Sequence, residues 1–339
     1  MGLRSYLIKR AILGIFVLWL VATLNFIIFS IQTGNPVYYL LNYKMDETQK
    51  EMLLKAYGYG EEWYIKYIKY LRNMFTFGLV YPYFGISIQL DKGQYIAHAM
   101  VPRLTITVML LGFALIGRII VGIPVGTLAA ARRGRKFDVT AVGLSLLTWG
   151  VPAFFIQLLA VLFFGFILRD LYGIKIFPTT FNPPRFEGDY LSWFLATAYQ
   201  LSLPVLTLVA VGFGSWVLIT RNLLLDAITQ DFIATARAKG LSERVVLFKH
   251  AFRSILPPIT TMITLAIPGV VTGAIITESI FGINGIGSWY MQSLQYNIAD
   301  YGIAQAVLFI FATLVIVCNF IADVLYGILD PRIRVGVRR

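Results

Sequence analysis

The residue types that most often perform catalysis or bind metals are scarce in this chain. Among 339 residues there are two histidines, His98 and His250, and one cysteine, Cys318. No Ser/His/Asp set, paired carboxylates or His-Glu-x-x-His pattern occurs. A single cysteine cannot form an intrachain disulfide, and we interpret it as a small packing residue. The sequence therefore predicts a protein with no catalytic residue and no metal site.

Nucleotide binding is the other chemistry that the glycines could suggest. Gly282, Gly285 and Gly287 are closely spaced, but no predicted strand precedes them as a dinucleotide-binding unit would require. The phosphate-binding pattern Gly-x4-Gly-Lys-Ser/Thr does not occur. We interpret these glycines as turn residues and expect that this chain binds no cofactor itself.

The composition is that of a membrane protein. Hydrophobic residues make up 58% of the chain and charged residues 14%, with a mean hydropathy of +0.73. Six apolar stretches are long enough to cross about 30 Å of hydrocarbon. They cover residues 11–31, 104–131, 139–168, 201–219, 259–277 and 302–322. The predicted fold class is an all-α polytopic membrane protein with six transmembrane helices in one bundle.

The charges predict the orientation of the bundle. The net charge is +12, and all of the excess lies in four segments that alternate along the chain. These are the N-terminus, the loop after the second span, the stretch 221–253 and the C-terminal tail. Because cytoplasmic loops carry the excess of Lys and Arg, both termini are predicted to be cytoplasmic in a plasma or inner membrane. The bilayer explains the basic balance, so nucleic acid is not expected as a partner.

The predicted spans divide the chain into four parts. Residues 1–31 form the first helix, and residues 32–98 form a large external segment. Residues 99–330 form a five-helix core, and residues 331–339 form a basic cytoplasmic tail. Helical spacing of aromatic and aliphatic residues predicts an amphipathic helix over 61–76 in the external segment. This helix is either a packed lid or a platform for an external partner.

Four prolines lie within the predicted spans and are expected to break them. They are Pro124, Pro152, Pro204 and Pro268. Such breaks are tolerated where neighbouring helices or a water-filled cavity satisfy the freed carbonyls. The kinks could serve a gate or could be ordinary features of a bundle. Glycine pairs such as Gly122 and Gly126 favour close helix approach.

The cytoplasmic loop 226–257 is too elaborate for a simple connector. It predicts two short helices separated at Gly240, which can adopt a positive φ, with Ser242 capping the second helix. A stripe of Ile228, Phe232, Thr235 and Lys239 runs along the first helix. Such a helix could project as a rigid docking knob or rest on the membrane surface.

The run from Asp231 to Arg253 resembles the EAA loop of ABC importer permeases, specifically the dipeptide/oligopeptide/nickel family. Further matches follow the same order along the chain. They are Gly34-Asn-Pro-Val, Pro102-Arg-Leu-Thr-Ile-Thr, Gly122-Ile-Pro-Val-Gly, Arg132-Arg-Gly, Glu278-Ser-Ile-Phe-Gly-Ile-Asn-Gly-Ile-Gly and Asn319-Phe-Ile-Ala-Asp323. Two positions depart from the family pattern. Ala234 stands where many EAA loops have Glu, so docking would depend on Arg237, Lys239 and the apolar ridge, and Asn284 replaces a usual Pro.

The resemblance implies a permease subunit of an ATP-driven, binding-protein-dependent importer, most of all for short peptides. Its partners would be a second homologous permease, two cytoplasmic ATPase subunits that hold ATP and Mg, and an external substrate-binding protein. The implied ATPase-coupling residues are Asp231, Ala236, Arg237, Ala238, Lys239, Gly240, Leu241 and Ser242. Those expected at an external gate are Glu278, Phe281, Asn284 and Gly285.

Three polar residues within the spans need partners in the bundle: Arg118, Gln157 and Asp323. We expect Arg118 to point inward, to a backbone carbonyl, to Asp323 or to substrate. We expect Gln157 to form an interhelical hydrogen bond. The alternatives for the cargo are oligosaccharides and, with only two histidines, nickel. A different class, an ion-coupled secondary transporter, would need inverted repeats that the sequence does not show, and a structural scaffold would not need the loop.

Overall fold

Apolar runs that cross a bilayer must satisfy their backbone hydrogen bonds internally, so each is expected to be a helix. The computed structural model describes residues 3–31, 46, 48, 61–81, 84–88, 90–183, 188–295 and 299–329, without the side chains of 3–4, 30–31, 267–274 and 325–329. This described part is helical and contains no strand, although one isolated bridge joins Ile86 and Tyr95. The predicted all-α class is confirmed.

We number the α-helices of the described part in chain order. They are α1 Leu3–Ile31, α2 Trp63–Phe75, α3 Ile96–Ala131, α4 Lys136–Gly150, α5 Ala153–Ala160, α6 Tyr190–Gln200, α7 Ser202–Ile228, α8 Asp231–Ala238, α9 Glu243–Val245, α10 Phe252–Phe281, α11 Ile286–Gln295 and α12 Tyr301–Leu329. Two π-helical segments continue α5 and α9, at Val161–Leu171 and Val246–Ala251. The predicted amphipathic helix is present as α2, which buries Tyr70 and Met74 and exposes Trp63.

Five helices of the described part are long and apolar enough to cross a membrane. They cover Ser5–Phe29, Ile96–Ala131, Ala153–Leu171, Ser202–Ile228 and Tyr301–Val324. The remaining predicted span, 259–277, lies within α10, where the side chains of 267–274 are outside the described residues. Four predicted spans are therefore confirmed, the span 139–168 is confirmed only in its second part, and the span 259–277 stays a prediction. The orientation of the termini and the limits of the four predicted segments at residues 31, 98 and 330 also stay predictions. The tail 331–339 lies outside the described residues.

The predicted span 139–168 is wrong as one continuous helix. It is divided between α4 and α5, because Val151 (φ −90°, ψ 129°) and Pro152 (φ −57°, ψ 133°) are extended. Proline disfavours a helical conformation in the residue before it, which explains a break at this point. The other three predicted breaks do not occur in the helix backbones. Pro124 lies inside α3 and Pro268 inside α10, whereas Pro204 lies in the first turn of α7, where its missing N–H has no intrahelical role.

The described residues form two compact units, each with its own core. One unit comprises Arg4–Thr107 and Asn284–Phe320. Its core joins α1, α2, α11 and α12 through buried side chains that include Ala22, Met74, Trp289 and Phe309. Asn25 of α1 donates a hydrogen bond to the carbonyl of Gln305 in α12 (3.0 Å). This hydrogen bond joins α1 to α12 within the unit.

Two aspartates attach the loop before α3 to the rest of this unit. Asp91 accepts hydrogen bonds from Arg103 (2.9 Å) and from the indole N–H of Trp289 (2.8 Å), and the Arg103 guanidinium lies 4.6 Å from the centre of the Trp289 ring. Asp300 accepts from the hydroxyl of Ser87 (2.7 Å) and the amide of Ile88 (2.9 Å). The part of the predicted external segment nearest α3 is therefore firmly bound.

The other unit comprises Val108–Ile283 and residues from Ile321 onward. Here α7 lies against both α3 and α4 at glycine positions. A Cβ at Gly126 would lie 2.6 Å from the carbonyl oxygen of Val217, and one at Gly214 would lie 2.5 Å from that of Ser145. The predicted close approach of helices at Gly122 and Gly126 is confirmed.

Candidate functional site

The helix α8 is too short to be stable by itself and must be held by its surroundings. Isolated helices below about 12 residues are marginal in water, and α8 has 8. Asp231 in its first turn interacts favourably with the helix dipole. Tertiary packing supplies the rest, because Ile233 (0% exposed) and Ala236 point into an apolar cluster.

This cluster, which we call the loop cluster, joins α7, α8, the second π-helical segment and α10, and it also includes Ala130 of α3. It contains Leu224 from the end of α7, Ile233 and Ala236 from α8, Val246 and Ala251 from the π-helical segment, and Ile255 from α10. All six side chains are buried. The helix α8 is therefore attached through its apolar face to the ends of two long helices.

The turn after α8 has the conformation that the sequence predicts. Lys239 is the C-cap, and Gly240 adopts φ +76° and donates its N–H to the carbonyl of Arg237 (2.9 Å). No atom lies within 4 Å of the position that a Gly240 Cβ would occupy, so backbone conformation rather than space favours glycine. Ser242 is at the predicted N-cap position, but its side chain makes no capping hydrogen bond. The break at Gly240 is confirmed, and the hydroxyl cap is wrong.

The buried face of α8 differs from the predicted stripe. Phe232 is 45% exposed, and Thr235 and Lys239 are exposed as well, whereas Ile233 and Ala236 are buried. Of the residues predicted to couple to an ATPase, Ala236 thus has a packing position. The other seven are exposed: Asp231, Arg237, Ala238, Lys239, Gly240, Leu241 and Ser242.

An ion pair closes the turn around Gly240. Arg237 donates two hydrogen bonds to Glu243, from Nε to Oε1 (2.8 Å) and from Nη2 to Oε2 (3.2 Å). Hydrogen bonding to Arg237 lowers the pKa of the Glu243 carboxyl. The charge of Arg237 is therefore matched within the loop. Lys239, by contrast, forms no ion pair with any residue that the structure describes.

A second, buried ion pair joins the start of α4 to the last part of α7. It was not predicted from the sequence. Asp138 of α4 is 3% exposed and accepts hydrogen bonds from Arg221 of α7 (Nη2 to Oδ2, 2.9 Å) and from the Gly134 amide (2.9 Å). The hydrogen bond from Arg221 is the main reason that the pKa of Asp138 is lowered. The available signal was one acidic residue two positions after a segment with four basic residues, at the start of an apolar helix.

The predicted gate residues belong to two units. Glu278 and Phe281 are buried at the end of α10, where Gly282 (φ +63°) terminates the helix and Phe281 accepts a backbone hydrogen bond from Phe181 (3.1 Å). In the other unit, Asn284 is exposed and Gly285 is buried. Their role as a gate stays a prediction.

The polar residues of the spans have identifiable partners. Arg118 donates from Nε to the carbonyl of Leu208 in α7 (2.9 Å), and its guanidinium occupies the space that a side chain at Gly212 would need. Gln157 donates to the hydroxyl of Thr277 in α10 (2.8 Å). The predictions of a backbone carbonyl partner for Arg118 and of an interhelical bond for Gln157 are confirmed. Asp323 is half-buried in α12, and no ion pair joins it to Arg118 in the described part of the chain.

Comparison with known proteins gives a consistent result. The family model of the binding-protein-dependent transport system inner membrane component matches residues 122–335. The oligopeptide transport system permease protein AppB of Bacillus subtilis (strain 168) is 32% identical over 333 residues, covering 98% of this chain and 99% of that protein. The dipeptide transport system permease protein DppB of Escherichia coli (strain K12) is 31% identical over 329 residues, covering 93% and 94%.

A solved structure of the MetNI methionine ABC transporter in inward-facing conformations is also similar. The TM-score is 0.51 with 19% sequence identity, and the likeness covers 71% of this chain and 97% of that one. At this identity the likeness shows a shared fold.

The family model covers more than half of the chain, and the two relatives match over nearly its whole length. This favours a transport subunit over an enzyme, an ion-coupled carrier or a scaffold. The prediction of a non-catalytic permease is therefore confirmed. The chain belongs to the family of binding-protein-dependent transport system inner membrane components.

Proposed function

We propose that this chain forms half of the translocation pathway of an ATP-driven importer of short peptides, and that loop 226–257 couples it to a separate cytoplasmic ATPase. The peptide assignment rests on the relatives, which are named as oligopeptide and dipeptide permease proteins. The coupling assignment rests on the geometry of α8 and of the turn that follows it.

The main support for the coupling proposal is that α8 and the turn after it expose both apolar and cationic side chains, while packing against the loop cluster holds the helix in place. Phe232 and Leu241 are exposed apolar residues, and Lys239 lies between them in sequence as an exposed cation. Exposed apolar side chains beside charged ones are typical of protein interaction surfaces. Because Ile233 and Ala236 anchor the opposite face, the exposed face is presented in a defined orientation.

The loop cluster also supports transmission of movement. Leu224 belongs to α7 and Ile255 to α10, so a displacement of α8 acts on two long helices through packed contacts. Closely packed interiors transmit such displacements because they deform little. Closure of an ATPase pair would then tilt α7 and α10, and this change would alternate access to the pathway.

The complete transporter would contain a second homologous permease, two ATPase subunits with ATP and Mg, and an external substrate-binding protein. Both termini would be cytoplasmic, as the distribution of Lys and Arg predicts. Glu278, Phe281, Asn284 and Gly285 would lie at the external mouth, opposite the coupling loop.

The coupling assignment can be tested by purification from native membranes. The double variant Phe232→Ser/Lys239→Ala changes the exposed face and leaves Ile233 in place. We expect the amount of co-purified ATPase to fall several-fold. The matched control is Lys136→Ala, which removes an exposed lysine from the start of α4, on the same predicted side. Unchanged ATPase recovery in the double variant, or an equal loss in the control, would refute coupling through this surface.

The cargo needs a separate assay. With the complete transporter in vesicles, short peptides presented with the binding protein should stimulate ATP hydrolysis. Stimulation by oligosaccharides or nickel but not by peptides would refute the peptide assignment and leave the coupling assignment intact.

A further inference from the structure

A basic cavity of about 650 Å³ opens beside the coupling loop. It lies between the end of α3, the end of α7 and the segment from Arg237 to Phe248. This volume is within the range of about 300–1,000 Å³ that is usual for small-molecule sites. The cavity was not anticipated from the sequence, because its walls come from three separate parts of the chain.

Four arginines line the cavity and only one of the lining residues is acidic. The arginines are Arg132, Arg133, Arg237 and Arg244, and the acid is Glu243, which is paired with Arg237. Among the described residues, no hydrogen bond or ion pair holds the guanidinium group of Arg133 or Arg244. Like charges around one space repel each other, so an anion with several oxygen atoms is the ligand that the cavity favours.

Apart from Thr229, the remaining wall is apolar, and it is continuous with a membrane-spanning helix. Leu128 (39% exposed) and Phe248 (53% exposed) line the cavity. Val121 is also exposed and lies seven residues before Leu128, on the same face of α3. An exposed apolar stripe thus runs along a spanning helix and ends at Arg132. A phospholipid, with acyl chains below a phosphate, matches this order of apolar and basic surfaces, whereas an acidic protein segment would not need the stripe.

We propose that the cavity binds the phosphodiester of an anionic phospholipid from the leaflet on the predicted cytoplasmic side. Arg132, Arg133 and Arg244 would contact the phosphate oxygens, and an acyl chain would lie along Leu128 and Val121. Basic pockets between the ends of spanning helices bind anionic headgroups in this way. The site does not involve the transported solute, although Arg237 belongs both to its wall and to the proposed coupling loop.

The test uses the full-length chain purified in a neutral detergent and native mass spectrometry of bound lipid. Phosphatidylglycerol and phosphatidylcholine are added separately and the bound fraction is measured for each. The triple variant Arg132→Gln/Arg133→Gln/Arg244→Gln removes three charges but keeps side chains of similar shape. We expect about a fivefold loss of phosphatidylglycerol binding per arginine removed, and little change for phosphatidylcholine. The corresponding triple lysine variant, which keeps the charges, should retain most of the binding.

The matched control removes three exposed charges that do not line the cavity: Arg135→Gln/Lys136→Gln/Lys249→Gln. An equal loss in this control, or no preference of the native chain for phosphatidylglycerol, would overturn the proposal. Displacement of the lipid by inorganic phosphate at similar concentration would also overturn it, because the ligand would then be a free anion. Native lipid binding in the arginine-to-glutamine variant, together with loss of co-purified ATPase, would instead identify the cavity as a protein docking site.

Discussion

Shortening the side chain of Ile233 should release α8 while the rest of the chain remains folded. Ile233 is 0% exposed and lies in the loop cluster. Replacement of a buried Ile by Val costs about 1 kcal/mol, and replacement by Ala costs about 2–5 kcal/mol. Since an eight-residue helix has little stability of its own, most of its attachment free energy comes from this cluster. A loss of about 3 kcal/mol would reduce the ratio of attached to detached α8 by roughly 100-fold.

The assay is co-purification of the ATPase with the native chain, Ile233→Val and Ile233→Ala, together with substrate-stimulated ATP hydrolysis. We expect a modest loss in the valine variant and a nearly complete loss in the alanine variant. Ile303→Ala is the matched control, because Ile303 is also 0% exposed but belongs to the core of the other unit. Both alanine variants should lower thermal stability by similar amounts, whereas only Ile233→Ala should lose the ATPase.

Equal ATPase recovery in Ile233→Ala and Ile303→Ala, at equal levels in the membrane, would refute this reasoning. It would mean either that α8 stays attached without the Ile233 side chain or that the ATPase binds elsewhere. Amide hydrogen exchange in α8 distinguishes the two cases, since an attached helix keeps its protection and a detached one loses it.

Three further predictions follow from local geometry. Gly126→Ala should lower the free energy of unfolding by about 1–3 kcal/mol through overpacking. Gly112→Ala in the same helix should not, because no atom lies within 4 Å of the position that a Gly112 Cβ would occupy. Thermal unfolding of the two variants checks both expectations. Asp138→Asn should destabilise the chain by about 3 kcal/mol at neutral pH. In the native chain this stabilisation is complete above the ordinary carboxyl pKa of about 4 and is lost as the pH falls through the lowered pKa, so melting temperatures against pH should converge in acid. Gly240→Ala and Gly173→Ala should each cost about 1 kcal/mol, since both positions have positive φ and free space, but only Gly240→Ala should reduce ATPase recovery.

The sequence could predict the features that depend on local or long apolar patterns. Spans of about 20 apolar residues are visible because the bilayer requires them along one continuous segment. The turn at Gly240 was predictable for a similar reason, because positive φ is a local property that glycine alone adopts readily. Gln157 and Arg118 were expected to face the bundle, since a polar group in lipid must find a partner.

The sequence does not determine which face of α8 is exposed. A helix of eight residues makes barely two turns, so Phe232 and Ile233 both fit an apolar stripe, and only tertiary contacts distinguish them. The ion pair of Asp138 and Arg221 joins residues 83 positions apart, and nothing in either local sequence specifies the other. The proline breaks failed for a further reason. Only at Pro152 is the backbone extended, whereas Pro124 and Pro268 lie inside continuous helices and Pro204 lies in a first turn, so the presence of proline alone does not predict a break.

The positions of rigid and flexible links suggest how coupling is organised within the unit that contains α8. Around α8 the links are rigid, because the loop cluster binds it to α7 and α10 and the Asp138–Arg221 pair binds α4 to α7. The extended residues Val151 and Pro152 leave the junction of α4 and α5 without continuous helical hydrogen bonds. Because a displacement is absorbed where the backbone is least constrained, movement that enters at α8 should carry α4, α7 and α10 together and be taken up at this junction. On the proposed coupling role, loop 226–257 would move α4, α7 and α10 as one group, and the flexibility for alternating access would lie at the junction of α4 and α5.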